Sequence, residues 1–159
     1  MSTSDDRNET KDERDDRNLM ELLQELRVAG LGVQVLFGFL LSLPFTNGFG
    51  KVSHALRGVF IADLLLAALS TLLLLAPVAY HRLVFRHHLK EPLVTIANRF
   101  AILGLGTVAL AVLLAVVVVV SFVEGNAAAI IVGIFLGCLF ALFWFVLPLV
   151  LRQRSGTPD

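Results

Sequence analysis

The sequence predicts an all-α membrane protein: an antiparallel four-helix transmembrane bundle with a disordered, charged N-terminal tail. Hydrophobic residues make up 57% of the 159 residues, and the mean hydropathy of +0.81 exceeds that of ordinary globular proteins. Of the 26 charged residues, 14 lie in the first 27 positions. Four long apolar segments follow. Each is close to the ~20 residues that a helix needs to cross ~30 Å of hydrocarbon. Because backbone polar groups in lipid need internal partners, segments of this length are predicted to be helices.

The N-terminal region divides into two predicted segments. Residues 1–17 contain seven acids and four bases with almost no apolar side chain, which predicts a disordered tail rather than a secretory signal. Residues 18–27, "NLMELLQELR", predict an amphipathic juxtamembrane helix. This helix is interpreted either as a partner-binding or interfacial segment, or as a cytoplasmic extension of the first span. Its apolar residues at helical spacing are Leu19, Leu22, Leu23 and Leu26.

The transmembrane domain is predicted over residues 28–151 and is followed by a cytoplasmic tail over 152–159. Its spans are predicted at 28–45, 58–78, 101–123 and 127–151. With the N-terminus inside, eleven Lys and Arg residues fall on the cytoplasmic side and only Lys51 and Arg57 fall outside. By the positive-inside rule, this predicts a multi-pass protein of the bacterial plasma membrane with both termini in the cytoplasm.

The stretch "YHRLVFRHHLKEP" after the second span predicts a cytoplasmic basic loop. We interpret it first as a surface that meets anionic lipid headgroups. The alternative is a metal or pH-sensing site, because His81 and His88 are seven residues apart and share a helix face. No third or fourth ligand stands at a suitable spacing, so no metal is expected. The loop consists of His81, Arg82, Arg86, His87, His88 and Lys90.

Small residues in the fourth span predict a helix-packing surface. Gly133, Gly137 and Ala141 recur every four residues, which lets helix backbones approach closely in lipid. The surface packs either within the bundle or against a second copy of the chain. The protein as a whole is expected to have a second copy or another membrane protein as its partner. Gly104 and Gly106 of the third span are the expected partner surface within the bundle.

An acid interrupts the second span in "RGVFIADLLLAALSTLLLL". Asp63 is predicted about 8 Å below the outer end of this span, with Ala67, Ser70 and Thr71 on the same helix face. Counting depth along the four spans predicts two polar layers inside the bundle. In one interpretation these groups join helices through hydrogen bonds, and in the other they bind a proton or cation. The outer layer comprises Asp63, Ser42 and Ser121; the inner layer comprises Gln34, Ser70, Thr71 and Thr107.

Two strings, "LLQELRVAGLGVQVLFGFLLSLPF" and "APVAYHRLVFRHH", resemble a family of small four-span membrane proteins of unknown function found in actinobacteria. The resemblance covers roughly residues 19 to 151. Some members carry the automatic label sodium:proton antiporter, so the resemblance implies exchange of protons or sodium ions. It implies no site residues.

The sequence has no nucleotide loop, nucleophile elbow or zinc-protease helix. We therefore expect no catalytic residue, no cofactor and no nucleic-acid partner. The single cysteine, Cys138, excludes an intrachain disulfide and a CxxC site. The predicted function is that of a non-enzymatic accessory or interaction subunit in the lipid bilayer. The alternative is a small, oligomeric, proton-linked cation transporter or channel that uses Asp63.

Overall fold

The computed structural model describes residues 11–84 and 90–155, without the side chains of residues 81–95 and of several residues near the two ends. All secondary-structure elements of these described residues are helices. Two short 3-10 turns, Leu43–Phe45 and Phe49–Lys51, join the first two helices. The helices are α1 (Lys11–Ser42), α2 (His54–Val84), α3 (Lys90–Glu124), α4 (Asn126–Ala141) and α5 (Leu147–Ser155).

The prediction of four long apolar helices is confirmed. Each predicted span lies within a longer helical stretch that is long and apolar enough to cross a membrane. The fourth stretch combines α4 and α5 through a π-helical turn at Leu142–Val146. The four stretches are Met20–Phe45, His54–Tyr80, Ile96–Glu124 and Asn126–Gln153.

The N-terminal helix differs from its predicted division into a tail, a juxtamembrane helix and a span. Helix α1 runs without a break from Lys11 to Ser42, so residues 11–17 are helical; residues 1–10 of the predicted tail lie outside the description. Neither glycine nor proline occurs between residues 11 and 29 to interrupt the helix. The Arg17 Nε and Glu21 Oε1 atoms lie 4.0 Å apart, an i,i+4 ion pair that adds modest support on the helix surface.

Pro44 accounts for the end of α1, because proline lacks a backbone N–H and does not continue a helical hydrogen-bond ladder. Helix α2 then begins at a capping residue: the Ser53 Oγ accepts a hydrogen bond from the Leu56 N–H at 3.2 Å. In the first turn of α2, Arg57 Nη2 donates to the carbonyl of Gly50, which lies in the connection between the two helices, at 2.9 Å. This bond ties the connection to the first turn of α2.

One residue, Gly125, separates α3 from α4. Its φ of 91° lies in the left-handed region, which glycine adopts without the steric cost of a Cβ. The Gly125 N–H donates to the Ser121 carbonyl, and the Gly125 carbonyl accepts from the Ala129 N–H, both at 3.2 Å. The reversal of the chain is therefore stabilised by backbone hydrogen bonds on both sides.

The π-helical turn has a cause in the sequence. Pro148 lies two residues after the end of this turn, and a proline ring clashes with the carbonyl four residues earlier, here that of Trp144. Widening the helix over Leu142–Val146 relieves this clash while the chain remains helical. The apolar side chains of the turn are exposed.

The chain forms two compact units. The first combines Met1–Val35 with Ala68–Gly106, and in it Leu22, Leu23 and Tyr80 pack against the buried Ala97. The second combines Leu36–Ala67 with Thr107–Asp159. Its core consists of Leu40, Phe60, Ala67, Ala111, Ala115 and Val118, which we call the second-unit core.

Candidate functional site

Asp63 of α2 is the one fully buried acid in the described part of the chain, with 0% of its surface exposed. Both carboxyl oxygens, Oδ1 and Oδ2, are buried, and neither has a hydrogen-bond partner among the described residues. Buried polar groups in proteins nearly always have such a partner. Asp63 therefore requires an explanation that packing alone does not supply.

The surroundings of Asp63 are apolar. Asp63 follows Phe60 by three residues and precedes Ala67 by four, so the three side chains lie on one face of α2. Phe60 and Ala67 both belong to the second-unit core, to which α1 contributes Leu40 and α3 contributes two alanines and a valine. The carboxyl group thus lies on the core-facing side of α2.

An ionised carboxylate is expensive in such a position. Burial of an isolated charge costs far more than burial of a neutral polar group, and no described donor offsets the loss of water. The free-energy cost of burial decreases when the carboxyl group takes up a proton and becomes neutral. Reversible proton binding is therefore the chemistry that this arrangement favours.

The two serines predicted beside Asp63 make their hydrogen bonds elsewhere. The Ser42 hydroxyl donates to the Phe39 carbonyl at 2.6 Å, one turn earlier in α1. The Ser121 hydroxyl donates to Asn126 Oδ1, also at 2.6 Å, across the link between α3 and α4. Each hydroxyl has a single hydrogen to donate, so neither serves Asp63 in this arrangement. The grouping of Ser42 and Ser121 with Asp63 stays a prediction.

The residues of the predicted inner layer differ in burial. Ser70 is buried, whereas Thr71 and Thr107 are half-buried, and all three make polar interactions. Gln34 is exposed, and its grouping with the other three residues in one polar layer stays a prediction. Its neighbour Val33 occupies the buried face of α1, and one residue corresponds to a rotation of about 100° around a helix.

The fourth-span glycines pack against α3. A Cβ on Gly133 would lie 2.9 Å from Val117 Cγ2, and one on Gly137 would lie 3.6 Å from Leu113 Cδ1. Ala141 is exposed. A Cβ on Gly104 would lie 2.7 Å from Cδ2 of Leu74 on α2, and one on Gly106 would touch nothing within 4 Å. The role of these two glycines as the partner surface of the fourth span stays a prediction.

The sequence patterns did not reveal an apolar cavity of about 90 Å³ in the second unit, formed by α1, the connection to α2, α2 and α3. Val118 lines this cavity and also belongs to the second-unit core. The stretch "LPFTNGF" contributes three of the lining residues, and of its two phenylalanines only Phe49 lines the cavity. The lining residues are Phe39, Leu43, Thr46, Phe49, Val52, Leu56, Val118, Val119 and Phe122.

The cytoplasmic basic loop lies outside this description: Arg86, His87 and His88 fall in the gap, and the side chains of His81, Arg82 and Lys90 are not described. Its interpretation as a headgroup-binding or a metal or pH-sensing surface stays a prediction. Elsewhere in the described chain, no three His, Cys, Asp or Glu side chains stand close enough to hold a metal ion.

Comparison with known proteins gives one match. The sequence profile of a family described as a family of unknown function (DUF6328) matches residues 8–148. Neither the curated proteins nor the solved structures include a significant match to this chain. The match confirms the resemblance to a family of unknown function, and it brings no site residues with it.

Proposed function

This chain belongs to the DUF6328 family, and from its apolar helices we propose that it is an integral protein of the bacterial plasma membrane. The proposed arrangement is an antiparallel four-helix bundle with both termini in the cytoplasm. Its proposed role is non-enzymatic: an accessory or interaction subunit that contacts the bilayer, anionic headgroups and either a second copy or another membrane protein.

The exposed surface of the four apolar stretches carries this proposal. Large apolar side chains on every stretch face outward, among them Val35 at 75%, Leu72 at 68% and Ile131 at 68% exposed. Soluble monomers rarely expose extended apolar patches, because such surfaces drive association in water. In a bilayer the same surface meets lipid tails at no such cost.

Helix packing supports the antiparallel arrangement. Val117 and Gly133 are each eight residues from Gly125, and Leu113 and Gly137 are each twelve residues from it. In both pairs, the residue of α4 lies next to the residue of α3 that is equally far from Gly125 in the sequence. Equal spacing on both sides of a tight reversal is the pattern of a helical hairpin.

Gentle extraction tests the accessory role. Membranes washed with alkaline carbonate should retain the protein, and native mass spectrometry after release in mild detergent or native nanodiscs should show a stoichiometric complex. The complex would contain a second copy or another membrane protein. Release by carbonate would contradict membrane integration, and a lone monomer under every mild condition would contradict the subunit role.

Asp63 favours a second function, that of a small proton-linked cation transporter or channel. Acids within membrane helices are rare and often mark proton or ion pathways. A fully buried carboxyl group without a described hydrogen-bond partner suits such a role better than it suits helix association. Four helices leave little room for a pathway within one chain, so this function implies an oligomer.

Flux measurements test the second function. Liposomes that carry the parent protein or the Asp63→Asn variant at matched density would be given a pH gradient, and proton and sodium fluxes would be followed. Flux in the parent that vanishes in the variant would support transport. Absence of flux from oligomeric parent protein would contradict it.

A further inference from the structure

We propose that Asp63 is a proton-binding site that excludes alkali-metal cations, so the ion taken up here is H⁺ and not Na⁺. The inference names the ion for the transport function proposed above and rests on that function only for its physiological use. The binding step is simple: the carboxylate takes one proton from water and loses one negative charge.

Cation binding requires oxygen ligands that this position does not offer. Metal cations in proteins replace their hydration shell with several oxygens from carboxylates, carbonyls or hydroxyls. Transporters often supply such oxygens from unwound helices. Helix α2, by contrast, runs through Asp63 from His54 to Val84, and the second-unit core beside the acid is apolar. Among the side chains of Asp63 and of the second-unit core, only Asp63 offers oxygen ligands, and it offers two.

A proton needs no coordination shell. It binds one carboxyl oxygen covalently, and the neutral acid that results has a much smaller burial cost than a carboxylate. The site therefore favours H⁺ over Na⁺ because it offers too few oxygen ligands for Na⁺, and not because of the size of a cavity. If Na⁺ bound instead, both the ion and the Asp63 carboxylate would stay charged in apolar surroundings, and the ion would lose most of its hydration shell.

No other titratable group faces Asp63 in the second-unit core. The residues that α1 and α3 contribute to it are all apolar, as are the other members from α2. The remaining titratable side chains that are described in the second unit lie outside this core; Arg57 among them donates to Gly50. Asp63 should therefore titrate as a single group. These other side chains are Lys51, His54, Arg57, Glu124, Cys138 and Arg152.

Burial excludes one alternative use of the acid. An unpaired acid in a membrane helix can bind a basic residue in a partner's helix, but such an acid must lie on the surface. Asp63 has 0% of its surface exposed, so a second chain docking on this fold does not reach it. The ligand must be small enough to enter the core, as a proton is.

Infrared difference spectroscopy on the full-length protein in lipid nanodiscs tests this proposal. The carbonyl stretch of a protonated carboxyl group should appear reversibly on acidification in choline chloride, vanish in Asp63→Asn, and persist in Glu124→Gln, whose carboxylate is exposed. Replacement of choline by sodium at equal ionic strength should leave the titration midpoint of the parent unchanged. A competing Na⁺ would move it by about one pH unit for each tenfold rise in concentration.

Two results would overturn the proposal: a sodium-dependent midpoint, or no titrating band that depends on Asp63. The sodium comparison uses only the parent protein and so does not depend on how a variant folds. A sodium-independent band without flux would leave the site intact and contradict transport. Sodium flux with a sodium-dependent midpoint would support transport and contradict the proton-only site.

Discussion

A Cβ placed on Gly104 of α3 would lie only 2.7 Å from Cδ2 and 3.1 Å from Cγ of Leu74 on α2. Leu74 is itself 1% exposed, and the Cβ of Leu73 would lie 3.4 Å away on the same side. The absence of a side chain at residue 104 therefore allows α2 and α3 to approach each other. Such close approach strengthens packing where lipid provides no hydrophobic drive between helices.

Gly104→Ala should destabilise the protein by about 1–3 kcal/mol, the usual cost of overpacking a buried contact. Reversible unfolding in mixed detergent micelles would measure the change in free energy. Gly106→Ala is the matched control, because a Cβ there meets nothing within 4 Å. Equal stability of the parent and Gly104→Ala would show that α2 and α3 do not depend on this contact.

The packing of α4 against α3 predicts a contrast between two glycines. Gly133→Ala should lower the thermal unfolding temperature, because its Cβ would lie 2.9 Å from the stiff, β-branched Val117. Gly137→Ala should have little effect, since 3.6 Å to Leu113 is ordinary contact. Thermal scans in detergent and oligomer size by light scattering would both be recorded. A larger effect at Gly137 than at Gly133 would contradict the packing described.

The asymmetry of basic residues predicts the sidedness of the termini. In a Cys138→Ala background, single cysteines at residues 4 and 159 should react with an impermeant thiol reagent only after the cells are opened. A cysteine in place of Lys51, which is exposed in the connection between α1 and α2, should react in intact cells. Labelling of either terminus in intact cells would reverse the proposed orientation.

Hydropathy was sufficient to predict the four apolar helices, because length and composition alone separate such segments from globular ones. It did not predict that α1 begins at Lys11, since charged helix-forming residues are compatible with either a helix or a tail. The sequence was even less informative about which side chains contact each other between helices. Gly104 packs closely against Leu74 of α2, and the Ser121 hydroxyl donates to Asn126. Contacts of this kind depend on helix rotation, which a spacing of four residues leaves open.

The sequence was sufficient to predict that Asp63 is buried. It did not predict that the carboxyl oxygens lack a hydrogen-bond partner among the described residues. Small and polar residues on one face of α2 indicated that this face points inward. Depth counting then placed serines at the level of the acid, yet Ser42 donates to the Phe39 carbonyl of its own helix. Local side-chain-to-backbone bonds of this type compete with bonds between helices.

The unfolding free energy of Asp63→Leu tests most directly whether the Asp63 carboxyl group has a structural partner. Leucine reproduces the branching of aspartate without its polar atoms, and Asp63→Asn provides the polar control. Because the carboxyl oxygens have no described partner, Asp63→Leu should be at least as stable as the parent. The expected gain is up to about 1–3 kcal/mol, the cost of a buried unsatisfied group. A loss of stability of that size, with Asp63→Asn unaffected, would mean that the carboxyl group accepts a hydrogen bond and holds the helices together.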